Sequence, residues 1–299
     1  MKFIKKAAAL LLAFLMLLVP ATALADETNV TDTTTAESFV CYGDDLNSEQ
    51  FEKVMNLLGA DLSKDQLIKV TIDDEKALLG SIISADKIGS RSLSSARVTL
   101  TGEGTGISVT TQNINWVTSS MYSSALATAG VDNARIVVAA PVEVSGTAAL
   151  AGILKAYESA ASTQLSDEAK AVAGSEMVLT GDLADVIGSD DAVELLAMVK
   201  NAIAEYHLDD YDSLRPYVEQ GAKQLGVQLT EDQIDQITKL GVQIAKLDLD
   251  PEKLAGQLNG LVDNIQKIQK VQQSADSIFT NIKTAVQGFF NWIGSWFKR

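Results

Sequence analysis

The stretch from Ser95 to Ser159 constrains the fold most, because strand periodicity, turn residues and helix periodicity follow one another in it without a gap. Alternating β-branched residues predict two strands within 97–111. A nearly unbroken apolar run at 134–140 predicts a third strand, buried on both faces. Two helix patterns follow strands in this stretch, at 118–129 and 147–161. The stretch therefore predicts the centre of an α/β domain.

Three glycines at 102, 104 and 106 separate the first two predicted strands. Glycine adopts positive φ readily, so this spacing favours a short connection and predicts that the two strands pair as a hairpin. A phosphate-binding loop is the competing interpretation of this pattern. That loop needs a helix N-terminus directly after the glycines, whereas here a second strand follows.

Residues before this stretch add one more strand, at 68–72, and helices near 47–58 and 73–79. We therefore predict an α/β (α+β mixed) fold for residues 39–163, with a small mixed sheet of about four strands and crossing helices. From 164 to 299 the pattern is helical alone. Recurrent caps mark the starts of its helices, among them the capping box Thr230-Glu-Asp-Gln233 and the Asp250-Pro251 start.

The last predicted helix is long and amphipathic. From Leu254 apolar residues recur at steps of three and four as far as residue 296. An unbroken helix from Pro251 to Lys298 would be about 70 Å long at the standard rise. The helical region is therefore predicted to end in a long amphipathic helix with an aromatic end.

The first 25 residues have the three parts of a secretory signal peptide. Lys2, Lys5 and Lys6 form the basic region, 7–19 the apolar core, and Ala23-Leu-Ala25 a small-residue cleavage site. Residues 26–38 are acidic, rich in threonine and free of aromatic residues, which predicts a disordered lead-in. We expect a secreted or extracytoplasmic protein, peripheral to the cell membrane if its C-terminal helix binds lipid.

The charge of the chain restricts its partners. Removal of residues 1–25 would take away three lysines and no acids, so the formal charge of −15 would become −18. Such acidity argues against nucleic-acid binding, which depends on cationic side chains meeting phosphates. Cys41 is the single cysteine, so no intramolecular disulfide is possible, and we expect a half-buried structural residue.

No local motif predicts a cofactor, a metal site or a small-molecule ligand. His207 beside the acids of 209–212 lacks the alternating oxygen ligands and glycine bend of a calcium loop, and those acids stand where a helix must be capped. Ser84-Ala-Asp-Lys87 matches the Ser-x-x-Lys pair of penicillin-recognising enzymes without its companion motifs. A serine triad would have to assemble around His207, the sole histidine.

The C-terminal segment, residues 276–299, reverses the character of the chain. It holds no acid after Asp276 but has Lys283, Lys298 and Arg299, and its apolar residues fall on one side of a helical projection. Such a face either docks on the protein or on a second copy, or lies at an anionic membrane surface. The residues predicted to contact membrane or partner are Phe279, Ile282, Val286, Phe289, Phe290, Trp292, Ile293, Trp296, Phe297, Lys298 and Arg299.

Several strings resemble the YpuA-like family, secreted proteins of Gram-positive bacteria that carry a domain of unknown function. The strings are 87–91 (KIGSR), 121–122 (MY), 128–130 (TAG), 140–150 (APVEVSGTAAL) and 155–158 (KAYE). The resemblance runs from about Val40 to the C-terminus. The family brings no known activity, so the resemblance implies no catalytic or binding residue.

Taken together, these patterns predict an exported protein that is a non-enzymatic binding or structural component of the cell envelope. The alternative is a secreted hydrolase whose site is not visible in local motifs. A folded pocket that gathers His207 with Ser, Asp or Glu would favour the hydrolase. An exposed apolar stripe on the last helix would favour the envelope protein.

Overall fold

Five strands form one mixed sheet in the part of the chain that the computed structural model describes, residues 38–80, 90–267 and 269. The order across the sheet is β2-β1-β3-β5-β4. Four strands run parallel to one another, and β3 runs against both of its neighbours. The strands are β1 (Ser38–Gly43), β2 (Gln66–Val70), β3 (Ser95–Leu100), β4 (Ile107–Ile114) and β5 (Ala134–Val144).

The α/β fold agrees with the prediction, but the sheet has one strand more than expected. The sequence pattern missed β1, which lies between β2 and β3. Its short apolar run, Phe39 to Tyr42, follows a polar segment and does not alternate, because both of its faces are covered. Cys41 lies in this strand and is fully buried rather than half-buried.

The predicted hairpin between β3 and β4 is wrong, because β5 lies between these two strands and pairs with both. The glycine-rich loop passes over the start of β5. In this loop the Thr101 amide donates to the Asn133 carbonyl (3.1 Å) and the Gly106 amide to Asn133 Oδ1 (2.9 Å). The more apolar β5 takes the interior position, since burial of its two faces outweighs the local preference of a turn.

The helices agree closely with the local signals. Asn47 and Thr118 each cap a helix with a capping box, and Gly59 ends the first helix at positive φ. Gly146, by contrast, begins its helix without a side-chain cap. The helices of the described residues are α1 (Ser48–Leu58), α2 (Ile72–Leu79), α3 (Ser119–Thr128), α4 (Thr147–Ala161), α5 (Asp167–Ile187), α6 (Ser189–Tyr206), α7 (Tyr211–Leu225), α8 (Glu231–Ala245) and α9 (251–267).

The two faces of the sheet bury different helices. Val40 and Ala139 face α1, in a small cluster with Val54 and Leu58. The other face packs on α2, α3, α4 and part of α5, in the largest core of the described residues. The carboxyl ends of β1, β2, β4 and β5 lie at one edge, and the next helix begins at that edge in each case. This edge is where open α/β sheets bind ligands.

The last described helix, α9, lies against the body of the protein. Its apolar residues Leu254, Leu258 and Ile265 are at most 5% exposed. Asn259 lies 3.4 Å from Asn201 and Gln266 lies 3.1 Å from Glu194, so α9 runs antiparallel to α6. Within the described residues, no helix has the length and apolar character to cross a membrane.

Candidate functional site

A polar cleft of about 300 Å³ opens at the carboxyl edge of the sheet, where β4 ends and α3 and α6 begin. The loop 115–118 forms its floor and is held to the end of β5, since the Asn115 and Val117 amides each donate to a carbonyl there (3.0 Å). Its lining residues are Thr111, Ile114, Asn115, Trp116, Val117, Thr118, Ser119, Ser120, Ser189 and Asp190. The cleft therefore combines hydroxyls, an amide, a carboxylate and one indole.

A bulge in β4 directs this loop. Asn113 has φ 58°, and the pairing of β4 with β5 shifts register between Gln112 and Ile114. The Asn113 amide group donates to the Ala140 carbonyl (2.7 Å), one residue before Pro141. Pro141 has no N–H for the ladder, so the pairing is interrupted there. The bulge turns the chain out of the sheet and into the cleft.

Trp116 is held in the cleft by a glycine of α5. A Cβ atom at Gly181 would lie 2.3 Å from Cζ2 of the indole, so only glycine allows α5 to approach the ring this closely. A glycine inside a helix costs about 1 kcal/mol relative to alanine. The close fit of Trp116 is the structural reason for a glycine at this point.

Some polar groups of the cleft satisfy one another and others do not. The Ser189 hydroxyl donates to Thr118 Oγ1 (3.3 Å), and the hydroxyls of Thr111 and Ser119 lie 3.4 Å apart. Among the described residues, the side chains of Asn115, Ser120 and Asp190 have no hydrogen-bond partner. These three groups are available to a ligand.

A second polar cluster lies wholly inside the protein. Lys200 of α6 and Glu176 of α5 are both 0% exposed and form an ion pair of 2.7 Å. The Ser124 hydroxyl donates to the same Glu176 oxygen (2.6 Å), and the Thr128 hydroxyl donates to the other oxygen. Lys200 also donates to Ser124 Oγ (2.8 Å). Burial lowers the pKa of Lys200, and the charge of Glu176 opposes that shift.

A serine beside a buried lysine is an arrangement that can support nucleophilic catalysis. Here Ser124 is 1% exposed, so its hydroxyl oxygen is closed off from solvent. No substrate carbon could reach its oxygen in this arrangement. The cluster joins α3, α5 and α6 through these contacts.

Glu75 is a buried carboxyl that the sequence pattern assigned to a helix start. Its neighbour Asp74 does complete the capping box of Thr71, but Glu75 points into the core and is 0% exposed. Its Oε1 accepts from the hydroxyl of Thr147, at the start of α4, and its Oε2 has no partner among the residues that the structure describes. Burial raises the pKa of Glu75 to about 7, against the opposing effects of Thr147 and Lys76.

Cys41 has the properties of a structural thiol. Burial raises its pKa to about 12, and the thiol donates a hydrogen bond to the Ala96 carbonyl (3.4 Å). A thiolate is the reactive form of cysteine, so the native thiol is unreactive at neutral pH.

His207 is exposed at the end of α6, where it lines an open groove of about 240 Å³ with Asp209. An adjoining open cleft of about 810 Å³ gathers His207 with Asp248, Asp250 and Glu252, so the structure does bring the histidine together with carboxylates, as the hydrolase alternative expected. Within the described residues, neither lining includes a serine, threonine or cysteine that the histidine could activate. Asp210 caps α7 by accepting from the Ser213 amide (3.0 Å), which confirms the capping interpretation of this acidic run. The part of the chain that the structure describes holds no group of three metal-ligating side chains.

Other predicted residues lie outside the described part of the chain. They are the signal peptide, the lead-in up to residue 37, the Ser84–Lys87 pair and the C-terminal contact residues of 279–299. The structure thus neither gathers nor separates the predicted contact residues. The cleft around Trp116 was missed by sequence reasoning, and the one local signal for it was a tryptophan and an asparagine between a strand and a capped helix.

Comparison with known proteins finds one family over most of the chain, the family that the sequence strings resemble. The model of a family described as "Protein of unknown function (DUF1002)" matches residues 42–261. The chain is also 34% identical over 285 residues to the "Uncharacterized protein YpuA" of Bacillus subtilis (strain 168), covering 93% of this chain and 96% of that protein. No solved structure matches the chain. The chain therefore belongs to the DUF1002 family, as its resemblance to YpuA-like proteins predicted.

Proposed function

We propose that this is an exported, non-enzymatic binding protein of the cell envelope, attached to an anionic membrane surface by its C-terminal segment, residues 276–299. The observation that carries the proposal is the reversal of charge along the chain. A chain of formal charge −18 after loss of the signal peptide ends in a segment with three cations, two tryptophans and no acid after Asp276.

Packing of residues 276–299 on the body of the protein would explain their apolar side chains. It would not explain the reversal of charge. The docked helix α9 uses an ordinary aliphatic stripe, and its flanks bind the body through polar pairs such as Lys253 with Asp132 (3.0 Å). Acidic and amide side chains can form such polar pairs just as readily as cationic ones. Aromatic rings together with cations, and without acids, are typical of helices that lie at the surface of anionic lipid.

Co-sedimentation with lipid vesicles tests the proposal. The mature chain is expected to pellet with vesicles that contain phosphatidylglycerol and to bind pure phosphatidylcholine vesicles weakly. Trp292→Ala with Trp296→Ala removes about 2–3 kcal/mol of apolar burial per ring, so partitioning should weaken at least tenfold.

Tyr206→Ala is the matched control, since it removes a ring that is 52% exposed on the helical region and should leave vesicle binding unchanged. Failure of the full-length chain to pellet with either vesicle type would refute membrane attachment. If, in addition, the chain were a dimer that dissociates when residues 276–299 are removed, the segment would be a self-association surface.

A further inference from the structure

The cleft around Trp116 has the features of a binding site that the envelope proposal does not use. Its volume of about 300 Å³ is at the lower end of the range for small-ligand pockets, so it suits a ligand of about one ring. It lies at the carboxyl ends of β4 and β5, the edge at which parallel strands present ligand-binding loops.

The unpaired groups of the cleft define what it can recognise. Asn115 offers a donor and an acceptor, Ser120 offers both, and Asp190 offers an acceptor. Hydroxyl groups both donate and accept, so a ligand with several adjacent hydroxyls could satisfy all three side chains. The indole of Trp116 adds an apolar surface that suits the C–H face of a sugar ring.

The charges around the cleft disfavour the other ligand classes. In the described part of the chain no lysine, arginine or histidine lines it, and the carboxylate of Asp190 would repel a phosphate or a carboxylate. One carboxylate among neutral groups is also too few for a tightly bound divalent cation, which takes six or more oxygen ligands.

We propose that the cleft binds a neutral saccharide ring, with Trp116 against the ring and Asn115, Ser120 and Asp190 bonded to its hydroxyls. The ring could belong to a free saccharide or to the headgroup of a glycolipid. The proposal goes beyond membrane attachment and does not depend on it, because the four residues assigned to the ring lie between 115 and 190 of the sequence, outside the segment 276–299.

Tryptophan fluorescence offers a direct test. The chain has three tryptophans, so Trp292→Phe with Trp296→Phe leaves Trp116 as the sole tryptophan in the full-length protein, and selective excitation of tryptophan reports on it alone. Titration with glucose and with N-acetylglucosamine should give a saturable change in emission with a Kd on the order of 1 mM. Neutral vesicles with and without a glucosyl diacylglycerol test the lipid source of the same ring.

Matched variants test whether the change in emission arises from binding in the cleft. Asp190→Ala should weaken binding about tenfold or more, because it removes a charged hydrogen-bond acceptor. Asp191→Ala removes the next acid in the first turn of α6, which does not line the cleft, and should change the affinity less than about twofold. Asn115 is exposed, so Asn115→Ala should weaken binding without loss of the fold, which far-ultraviolet circular dichroism would verify.

The proposal would be overturned if neither sugar nor glycolipid changed the emission, if inorganic phosphate or calcium bound in their place, or if Asp190→Ala and Asp191→Ala weakened binding equally. If the variants at Trp292 and Trp296 lost vesicle binding but still bound sugar, the saccharide proposal would stand.

Discussion

At the scale of single residues, Glu75 is the most unusual group in the described core. An uncompensated carboxylate in an apolar interior costs more free energy than the neutral acid, which is why burial raises its pKa from 4.5 to about 7. Tyr122, buried beside Cys41 and Glu75, has its pKa raised well above 10 mainly by desolvation, so it stays neutral. Glu75 is therefore the group of this cluster that titrates near neutral pH.

The free energy of unfolding should consequently fall as the pH rises. The folded pKa of Glu75 lies above the unfolded value, so the folded state binds more protons between pH 4.5 and about 7. Its stabilising contribution is complete below pH 4.5, decreases through this window and is lost above it, by about 3 kcal/mol in all. Urea unfolding at pH 5 and pH 8 measures the difference.

Glu75→Gln is the decisive variant for this prediction. The amide keeps the shape of the side chain and cannot ionise, so the variant should be the more stable protein at pH 8 and lose most of the pH dependence between 5 and 8. If the free energy of unfolding of the variant depended on pH as steeply as that of the wild-type protein, other groups would be the cause of the pH dependence.

At the scale of secondary-structure elements, the buried pair of Lys200 and Glu176 fastens three helices together. Lys200 comes from α6, Glu176 from α5, and Ser124 and Thr128 from α3, the helix between β4 and β5. The cluster thus crosses from the sheet-containing part to the helices that follow it. Buried charges tolerate few alternative arrangements, because each must keep its partners.

We expect Lys200→Met to lower the free energy of unfolding by about 3–5 kcal/mol, since it leaves the carboxylate of Glu176 buried without its cation. Lys200→Met with Glu176→Met should be less destabilised than either single variant, because no charge then remains in the core. Chemical denaturation of the three proteins measures the coupling.

Lys239→Met serves as the control for that series. It removes an ion pair with Asp235 of the same 2.7 Å length, but Lys239 is 67% exposed. Such surface pairs contribute about 0–1 kcal/mol. Equal losses in Lys200→Met and Lys239→Met would contradict the role given to the buried cluster.

At the scale of the whole molecule, the C-terminal stretch of apolar periodicity has two parts, to which we assign different roles. The first, α9, covers Ala127 and Ala197 with Leu254 and Leu258. The second, residues 276–299, carries the aromatic and cationic residues and is proposed to attach the protein to a membrane. Under this proposal, one continuous apolar periodicity in the sequence serves packing on the body in α9 and contact with the membrane in 276–299.

Two truncations should separate these parts. Removal of residues 250–299 exposes the surface beneath Leu254, Leu258 and Ile265, each worth about 2–3 kcal/mol of burial, and should lower the thermal midpoint strongly. Removal of residues 276–299 should leave the midpoint nearly unchanged while abolishing vesicle binding. A large loss of stability in the shorter truncation would mean that the segment packs on the body instead.

Local features of this protein could be predicted because their causes are local. The capping boxes at Asn47 and Thr230 involve residues three positions apart, and the C-terminal glycines at 59 and 226 need only their own backbone conformation. Helix starts and ends, the α/β class and the family strings could therefore be identified from the chain alone.

The arrangement of the strands and the sites depended on contacts between distant residues. The insertion of β5 between β3 and β4, the burial of Lys200 against Glu176 and the slot that Gly181 makes for Trp116 each join residues far apart in the chain. Periodicity shows which side of an element is apolar but not which element will cover it. The sequence by itself determined the elements and the charge reversal of the C-terminal segment, while only the tertiary structure decided the order of the sheet and the existence of the cleft, because both depend on which apolar surfaces meet.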